Sequence, residues 1–263
     1  MRAKRRLGQH FLTDPRLLGR IADAVGAGRN DTVLEIGPGP GALTAALLER
    51  AGRVVAIEKD RELVPALRAR LPAATIVEGD ALEFDWRAAA GPRFLVAGNI
   101  PYNITTPLID KALEPPRPER IVFLVQKEVA ERVAAPPGTA AYGALSVGVR
   151  AVARAERLFT VPAGAFTPRP KVDSAVLRLT PMDQPMVEPA EQEDFRRLVV
   201  GLFGFRRKQL GRGVRELTGW APTRAVASLE GAGIAPDARP ETVPPEGFVR
   251  LLRALVDGGW AAR

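Results

Sequence analysis

The chain has no cysteine and a single histidine, His10, among its 263 residues. Without thiols there is no cysteine nucleophile, no disulfide framework and no cysteine zinc cluster. One imidazole cannot build a multi-histidine centre, so no metal is expected in the chemistry. Freedom from cysteine also suits a reducing compartment. Long apolar runs are missing too, and nothing approaches the roughly 20 residues of a membrane-spanning helix. Met1-Arg2-Ala3-Lys4-Arg5-Arg6 has the look of a signal-peptide start. The apolar stretch that should follow is interrupted by Gly8, Gln9, His10 and Asp14. The expectation is a soluble, cytoplasmic protein with no membrane partner. Internal repeats and low-complexity tracts are also lacking.

Base outweighs acid. Thirty-eight Lys and Arg face 30 Asp and Glu, a net charge of +8, which makes polyanions plausible partners. The length allows one large domain, or a large and a small one. A chain of this size buries about three-quarters of its unfolded surface, so no metal or disulfide is needed for stability.

The organising stretch is Glu35-Ile36-Gly37-Pro38-Gly39-Pro40-Gly41. Thr32-Val33-Leu34 before it reads as a strand, and Leu43, Leu47 and Leu48 after it recur at helical spacing. Strand, glycine turn and helix make the first half of a nucleotide-binding βαβ unit. Gly37, Gly39 and Ala42 satisfy the dinucleotide pattern G-x-G-x-x-G/A. A pyrophosphate is held by backbone N–H groups, however, and Pro38 and Pro40 have none. The loop suits a nucleoside without phosphates, with S-adenosylmethionine the obvious candidate. A plain structural turn is the bland alternative.

Further strands are expected at Arg53 to Ile57, Thr75 to Val77, Phe94 to Ala97 and Ile121 to Val125, with two more near Arg150 to Ala155 and at Ser174 to Leu179. Glu58 ends the second strand, nineteen positions after Gly39, where such folds place a carboxylate for the ribose hydroxyls. Asp80 follows the third, placed to accept an adenine amine; the alternative is a helix cap. Gly98-Asn99-Ile100-Pro101-Tyr102 ends the fourth. Ligands of open α/β sheets sit at the carboxyl ends of strands, so this turn should share the crevice of the glycine loop. Asp14 and Pro15 read as the N-cap and first residue of a helix ending at Gly26. Taken alone, His10 reads as a packed or solvated residue. The proline-rich loop Val161 to Val172 carries Phe166, either a defined aromatic contact or a hydrophobic plug.

Composition shifts at Pro181 to Pro189, read as a linker. Beyond it, helical patterns appear around Phe195–Phe205, Val214–Leu217, Thr223–Leu229 and Phe248–Val256. Arg196, Arg197, Arg206, Arg207, Lys208, Arg212 and Arg215 fall in a stretch without an acid. Such a run is usually a solvated face; one this asymmetric is a candidate phosphate-backbone track.

With these motifs in order, the chain resembles the small-subunit ribosomal RNA adenine dimethyltransferases, the family tied to kasugamycin sensitivity. The resemblance covers nearly the whole length. Its carriers are Gly8 to Leu12, Glu35 to Gly41 with Leu43-Thr44, Glu58, Gly79-Asp80, Asn99 to Tyr102, Gln126 to Val129, Ala141-Tyr142-Gly143 and Phe166 to Ser174. His10 departs from the family's usual Asn, Ile100 from its commoner Leu, and Arg212 from a frequent Asn.

The resemblance implies an α/β fold: a Rossmann-like methyltransferase sheet, mostly parallel with an antiparallel strand near its C-terminal edge, plus a small helical domain. Residues 1–181 would form the S-adenosylmethionine-binding domain with its basic arm. Residues 182–263 would form a helical domain that binds RNA or the ribosome. It further implies a monomer that dimethylates the exocyclic amines of two adjacent adenosines in a hairpin loop near the 3′ end of small-subunit rRNA, during 30S assembly. Asn99 and a backbone carbonyl near Pro101 would orient the amine, and Tyr102 and Phe166 would stack on the base. His10, Leu12, Gly37, Gly39, Glu58, Asp80, Ala81 and Asn99 would hold the cofactor. Arg5, Arg6, Arg169, Lys171, Arg206, Arg207 and Lys208 would meet RNA. Three readings compete: an NAD(P)-dependent oxidoreductase, a non-catalytic rRNA-binding assembly factor, and a large-subunit methyltransferase of the macrolide-resistance type.

Overall fold

The computed structural model describes residues 8–261; Arg5 and Arg6 lie outside them. Nine strands occur among the described residues: β1 (Phe11–Leu12), β2 (Thr32–Ile36), β3 (Arg53–Glu58), β4 (Thr75–Glu78), β5 (Leu95–Asn99), β6 (Arg120–Gln126), β7 (Ala153–Val161), β8 (Phe166–Thr167) and β9 (Ser174–Pro181). Seven form one sheet in the order β4-β3-β2-β5-β6-β9-β7. From β4 to β6 every pairing is parallel, and β9 runs antiparallel to β6. The sheet thus has the mostly parallel, Rossmann-like form expected, with its antiparallel strand toward the C-terminal edge.

The central strands are apolar on both faces because helices cover both. Val33, Leu34, Val54, Val55, Val96, Ala97 and Ile121 to Val125 are all buried. The helix Pro15–Val25 starts where Asp14 accepts from the N–H groups of Arg16 (2.8 Å) and Leu17 (3.3 Å). It stops at Gly26 in the left-handed region.

Two departures from the sequence reading concern local pattern. The strand expected near Arg150 to Ala155 begins instead at Ala153 and runs to Val161. It is an edge strand, so its exposed Arg154 and Arg157 break up any apolar run. The residues just before it, Ala144–Arg150, form a helix. Their valines suggest a strand, but Gly143 N–H is capped by Ser146 Oγ at 3.0 Å and the helix buries Val147 and Val149. The second departure is a separate two-stranded sheet in which β1 pairs antiparallel with β8.

The chain divides into two compact units. The first takes the chain up to Ala130 together with Ala155–Pro181; the second joins Glu131–Arg154 to everything from Met182 on. The break at Pro181 coincides with the composition shift. The helix Ala144–Arg150, however, packs against Gln192–Gly204, so residues 131–154 belong with the later helices rather than with the sheet. In the second unit the helices are Ala144–Arg150, Gln192–Gly204, Leu210–Thr218, Pro222–Gly231 and Pro245–Asp257, around Phe195, Leu202, Phe248 and Leu252. Among the described residues no helix is long and apolar enough to cross a membrane.

Candidate active site

Carboxyl ends of adjacent parallel strands open onto one cavity in the first unit. Its wall includes the glycine loop, Glu58 and Lys59 after β3, Gly79 to Ala81 after β4, Asn99 to Ile104 after β5, and Gly8 to Leu12 of the arm. Of the residues singled out in the sequence, His10, Leu12, Gly37, Gly39, Glu58, Asp80, Ala81, Asn99, Pro101 and Tyr102 meet here.

The loop glycines have different reasons to be glycine. Gly37, at φ +66°, has nothing within 4 Å of where a Cβ would stand. Gly39, at φ +55°, lies under the Phe11 ring, 2.9 Å from that position. Glu58 is 5 % exposed. Its oxygens accept from Gly39 N (3.0 Å) and Asp60 N (2.8 Å), one bond each, and each keeps a further lone pair. Burial pushes this carboxyl above its usual range. Asp80 is ion-paired with Lys59 and accepts from Leu82 N at 3.0 Å. Despite some burial its carboxyl lies below the usual range, because Lys59 and the Leu82 N–H favour the ionised form.

Asn99 donates from Nδ2 to the main-chain carbonyl of His10 at 2.7 Å. A carbonyl can only accept, so the amide nitrogen must face it, and Oδ1 is the end left over as an acceptor. The imidazole of His10 stacks on Tyr102, ring centroids 5.5 Å apart and tilted by 27°. Its Nδ1 is 2.7 Å from the Pro168 carbonyl, which makes that nitrogen the N–H. The Tyr102 hydroxyl is 2.8 Å from Ser174 Oγ, and burial holds the phenol above its ordinary range. Arm, Asn-Ile-Pro-Tyr turn and the Phe166–Ser174 loop are thereby tied together.

Two further site residues have their surroundings defined by the fold. Phe166 does not line the cavity: it is 4 % exposed and packs in the core with Leu12, Leu18 and Val161. In the two-stranded sheet it stands opposite Leu12. Of the backbone carbonyls near Pro101, its own accepts from Ile104 N (3.1 Å) and Thr105 Oγ1 (3.3 Å), and Ile100's is the one beside Asn99.

A residue missed as a candidate also lines the cavity. Glu35 is 1 % exposed, with Oε2 lacking a hydrogen-bond partner. Burial pushes its carboxyl up to about 8. Its signal was its place at the end of the first strand of the glycine motif. Among the described residues there is no group of three His, Cys, Asp or Glu that could hold a metal.

Arg169 and Lys171 are exposed on the loop after β8. The basic run in the second unit is partly neutralised: Arg197 pairs with Glu193, Lys208 and Arg212 share Glu216, and Arg206 donates to the Ala140 carbonyl at 2.9 Å.

The family profile of ribosomal RNA adenine dimethylase matches residues 1–256. The chain belongs to the ribosomal RNA adenine dimethylase family. Among relatives, proteins named ribosomal RNA small subunit methyltransferase A are similar over nearly the full length. That of Geobacter sulfurreducens is 42% identical, covering 98% of this chain and 97% of the relative. That of Caulobacter vibrioides is 44% identical, with 97% and 98% covered. Among solved structures, a dimethyladenosine transferase from Plasmodium falciparum matches with TM-score 0.84 at 25% identity, over 97% of this chain and 100% of that one. The 23S rRNA methyltransferase ErmE matches with TM-score 0.74 at 31% identity, over 94% and 99%. Membership of the dimethylase family makes the chain an rRNA methyltransferase and the cavity the place to look for its chemistry.

Proposed function

We propose that this chain transfers methyl groups from S-adenosylmethionine to the exocyclic amines of two adjacent adenosines in a hairpin loop near the 3′ end of small-subunit rRNA, during subunit assembly. The observation that carries this reading is the amide of Asn99. Held by the His10 carbonyl, it presents a fixed acceptor at the rim shared with the glycine loop.

The cavity fits the cofactor. Gly37 leaves open the space a Cβ would fill, as close backbone approach to a ligand requires. Glu58 has one lone pair left on each oxygen, a match for the two hydroxyls of a ribose. Asp80 and the main chain of Ala81 would hold the adenine, and His10 and Leu12 would close the other side. When bound, S-adenosylmethionine supplies an electrophilic methyl group on a sulfonium.

An aryl amine is a weak nucleophile because its lone pair is delocalised into the ring. Hydrogen bonds from the amine to Asn99 Oδ1 and to the Ile100 carbonyl would draw that pair out of conjugation with the ring, localise it on nitrogen and aim it. With so activated a donor, position and electrostatics carry the catalysis, and no strong base or metal is required. Tyr102 would stack on the extruded base. A base on the His10 side of the ring would have to share or take over the face that His10 now covers. The helical unit, through Arg206, Arg207 and Lys208, and the loop residues Arg169 and Lys171 would hold rRNA phosphates.

The likeness to ErmE at 31% identity favours a second reading, a large-subunit substrate. Relatives 42–44% identical over nearly their full length carry the small-subunit name, and this favours the first. Tritiated S-adenosylmethionine incubated with unmethylated 30S and 50S particles decides between them. Label on adjacent adenosines of 30S is expected. Label confined to 50S would replace the first reading by the second, and no label on either would leave an assembly factor.

A further inference from the structure

The turn between the helices Leu210–Thr218 and Pro222–Gly231 carries an arrangement that methyl transfer leaves unused. The first helix ends at Gly219, in the left-handed region at φ +71°, and Trp220 follows, half-buried. Arg224 lays its guanidinium over the indole, 3.8 Å from the ring centroid, and donates to the Gly258 carbonyl. Gly258 makes room for the ring: a Cβ there would lie 2.7 Å from the indole Cη2. One face and one edge of Trp220 are therefore fixed.

Trp220 also lines an open cleft with Arg212, Arg215, Glu216 and Gly219. Arg224 is not part of that wall. Arg212 and Arg215, three apart on a helix, share a side. Glu216 is shared by Arg212 (3.5 Å) and Lys208 (3.3 Å), which keep its carboxyl below the usual range. Arg215 is exposed, and its guanidinium has no hydrogen bond or ion pair among the described residues.

A flat aromatic surface already immobilised loses little entropy when something stacks on it. An unpaired guanidinium beside it asks for an anion. Base and phosphate of one unpaired nucleotide satisfy both demands at once, whereas an acidic peptide would leave the indole without a partner. We propose that the Trp220 cleft is a subsite for an unpaired RNA nucleotide, its base against the indole and its phosphate at Arg215. The subsite rests on the reading of this chain as an rRNA enzyme and adds a second place where RNA is gripped, built only from residues of the helical unit.

The test uses the full chain and a single-stranded RNA of mixed sequence, about 12 nucleotides long. RNA is expected to quench tryptophan fluorescence in the wild type and in neither Trp220→Phe nor Trp220→Leu. Trp220→Leu should weaken RNA affinity about tenfold. Arg215→Gln should lower the salt slope by about one. An abasic strand of the same length should bind wild type and Trp220→Leu alike. Unchanged affinity in Trp220→Leu with the quench intact would overturn the subsite, as would a poly-glutamate peptide that quenches as tightly as RNA. If Trp220→Leu fails to fold, Trp220→Phe, which retains an aromatic ring, decides by the quench alone. Particles methylated normally while Trp220 stays silent would sink the subsite and spare the methyltransferase reading. A Trp220 response with no methylation of any particle would do the reverse.

Discussion

At the scale of single residues, the proposed reaction depends on where one amide points. One N–H of Asn99 is given to the His10 carbonyl, which fixes Oδ1 as the acceptor end of the amide. Asn99→Ala should cut the single-turnover methylation rate by about 10²–10³-fold, comparable to losing one preorganised transition-state contact. Binding of the 30S particle, measured by sedimentation, should stay near wild type; equal loss of both would make Asn99 a structural residue. Glu35 gives a pH-dependent outcome. Its carboxyl lies at about 8 against an ordinary 4.5, so the folded state holds the proton more tightly than the unfolded chain. Its contribution to stability is complete below about 4.5 and declines as pH rises through about 8. Thermal unfolding of Glu35→Gln should therefore depend less on pH than the wild type across that window, and identical profiles would refute the burial argument. The sequence identified Asn99 by its neighbours Ile100, Pro101 and Tyr102. It did not reveal which end of the amide is free, because that depends on a carbonyl from residue 10, far away in the chain. Phe166 kept two readings for a similar reason: an aromatic in a proline-rich loop looks the same whether it points to ligand or to core.

At the scale of elements, the glycine loop separates two kinds of requirement. Gly37→Ala would carry its methyl into open space from a left-handed backbone, at a cost of about 1–2 kcal/mol. Calorimetry should show S-adenosylmethionine affinity falling by more than about tenfold, with only a few degrees lost in Tm. Gly39→Ala would strike the Phe11 ring and loosen the arm. Equal cofactor affinity in Gly37→Ala and wild type would remove the loop from the binding site. Strands β3, β5 and β6 were legible because burial on both faces leaves them with continuous apolar runs, and β2 by Val33 and Leu34 ahead of the glycine turn. Strand β7 and the helix before it were not, since an edge strand half-covered by solvent carries charge and a short helix of valines mimics a strand. The pairing of β1 with β8 could not be read at all, because two residues on each side contain no period.

At the scale of the whole molecule, charge is held unevenly. Several of the basic residues in the helical unit are spent on Glu193 and Glu216, while Arg207 stays exposed. Affinity for 30S particles should fall steeply with salt, and Arg207→Ala should reduce the slope by about one while leaving cofactor affinity unchanged. A slope identical to wild type would place Arg207 outside the contact. That residues 131–154 join the later helices was not legible, because a linear reading assigns neighbours in sequence to one body. Within the sheet, Ile36 stands opposite Gly98, so Gly37 and Asn99 leave adjacent strands one step past the same pair. Gly98 has no room for a Cβ, which would lie 2.7 Å from the Ile36 carbonyl. On the proposed reading, the spacing between a methyl donor at the glycine loop and an acceptor at Asn99 would be set by hydrogen-bond register rather than by loop length. Selection for a different nucleobase can remodel everything downstream of Pro101 without having to rediscover the reaction distance.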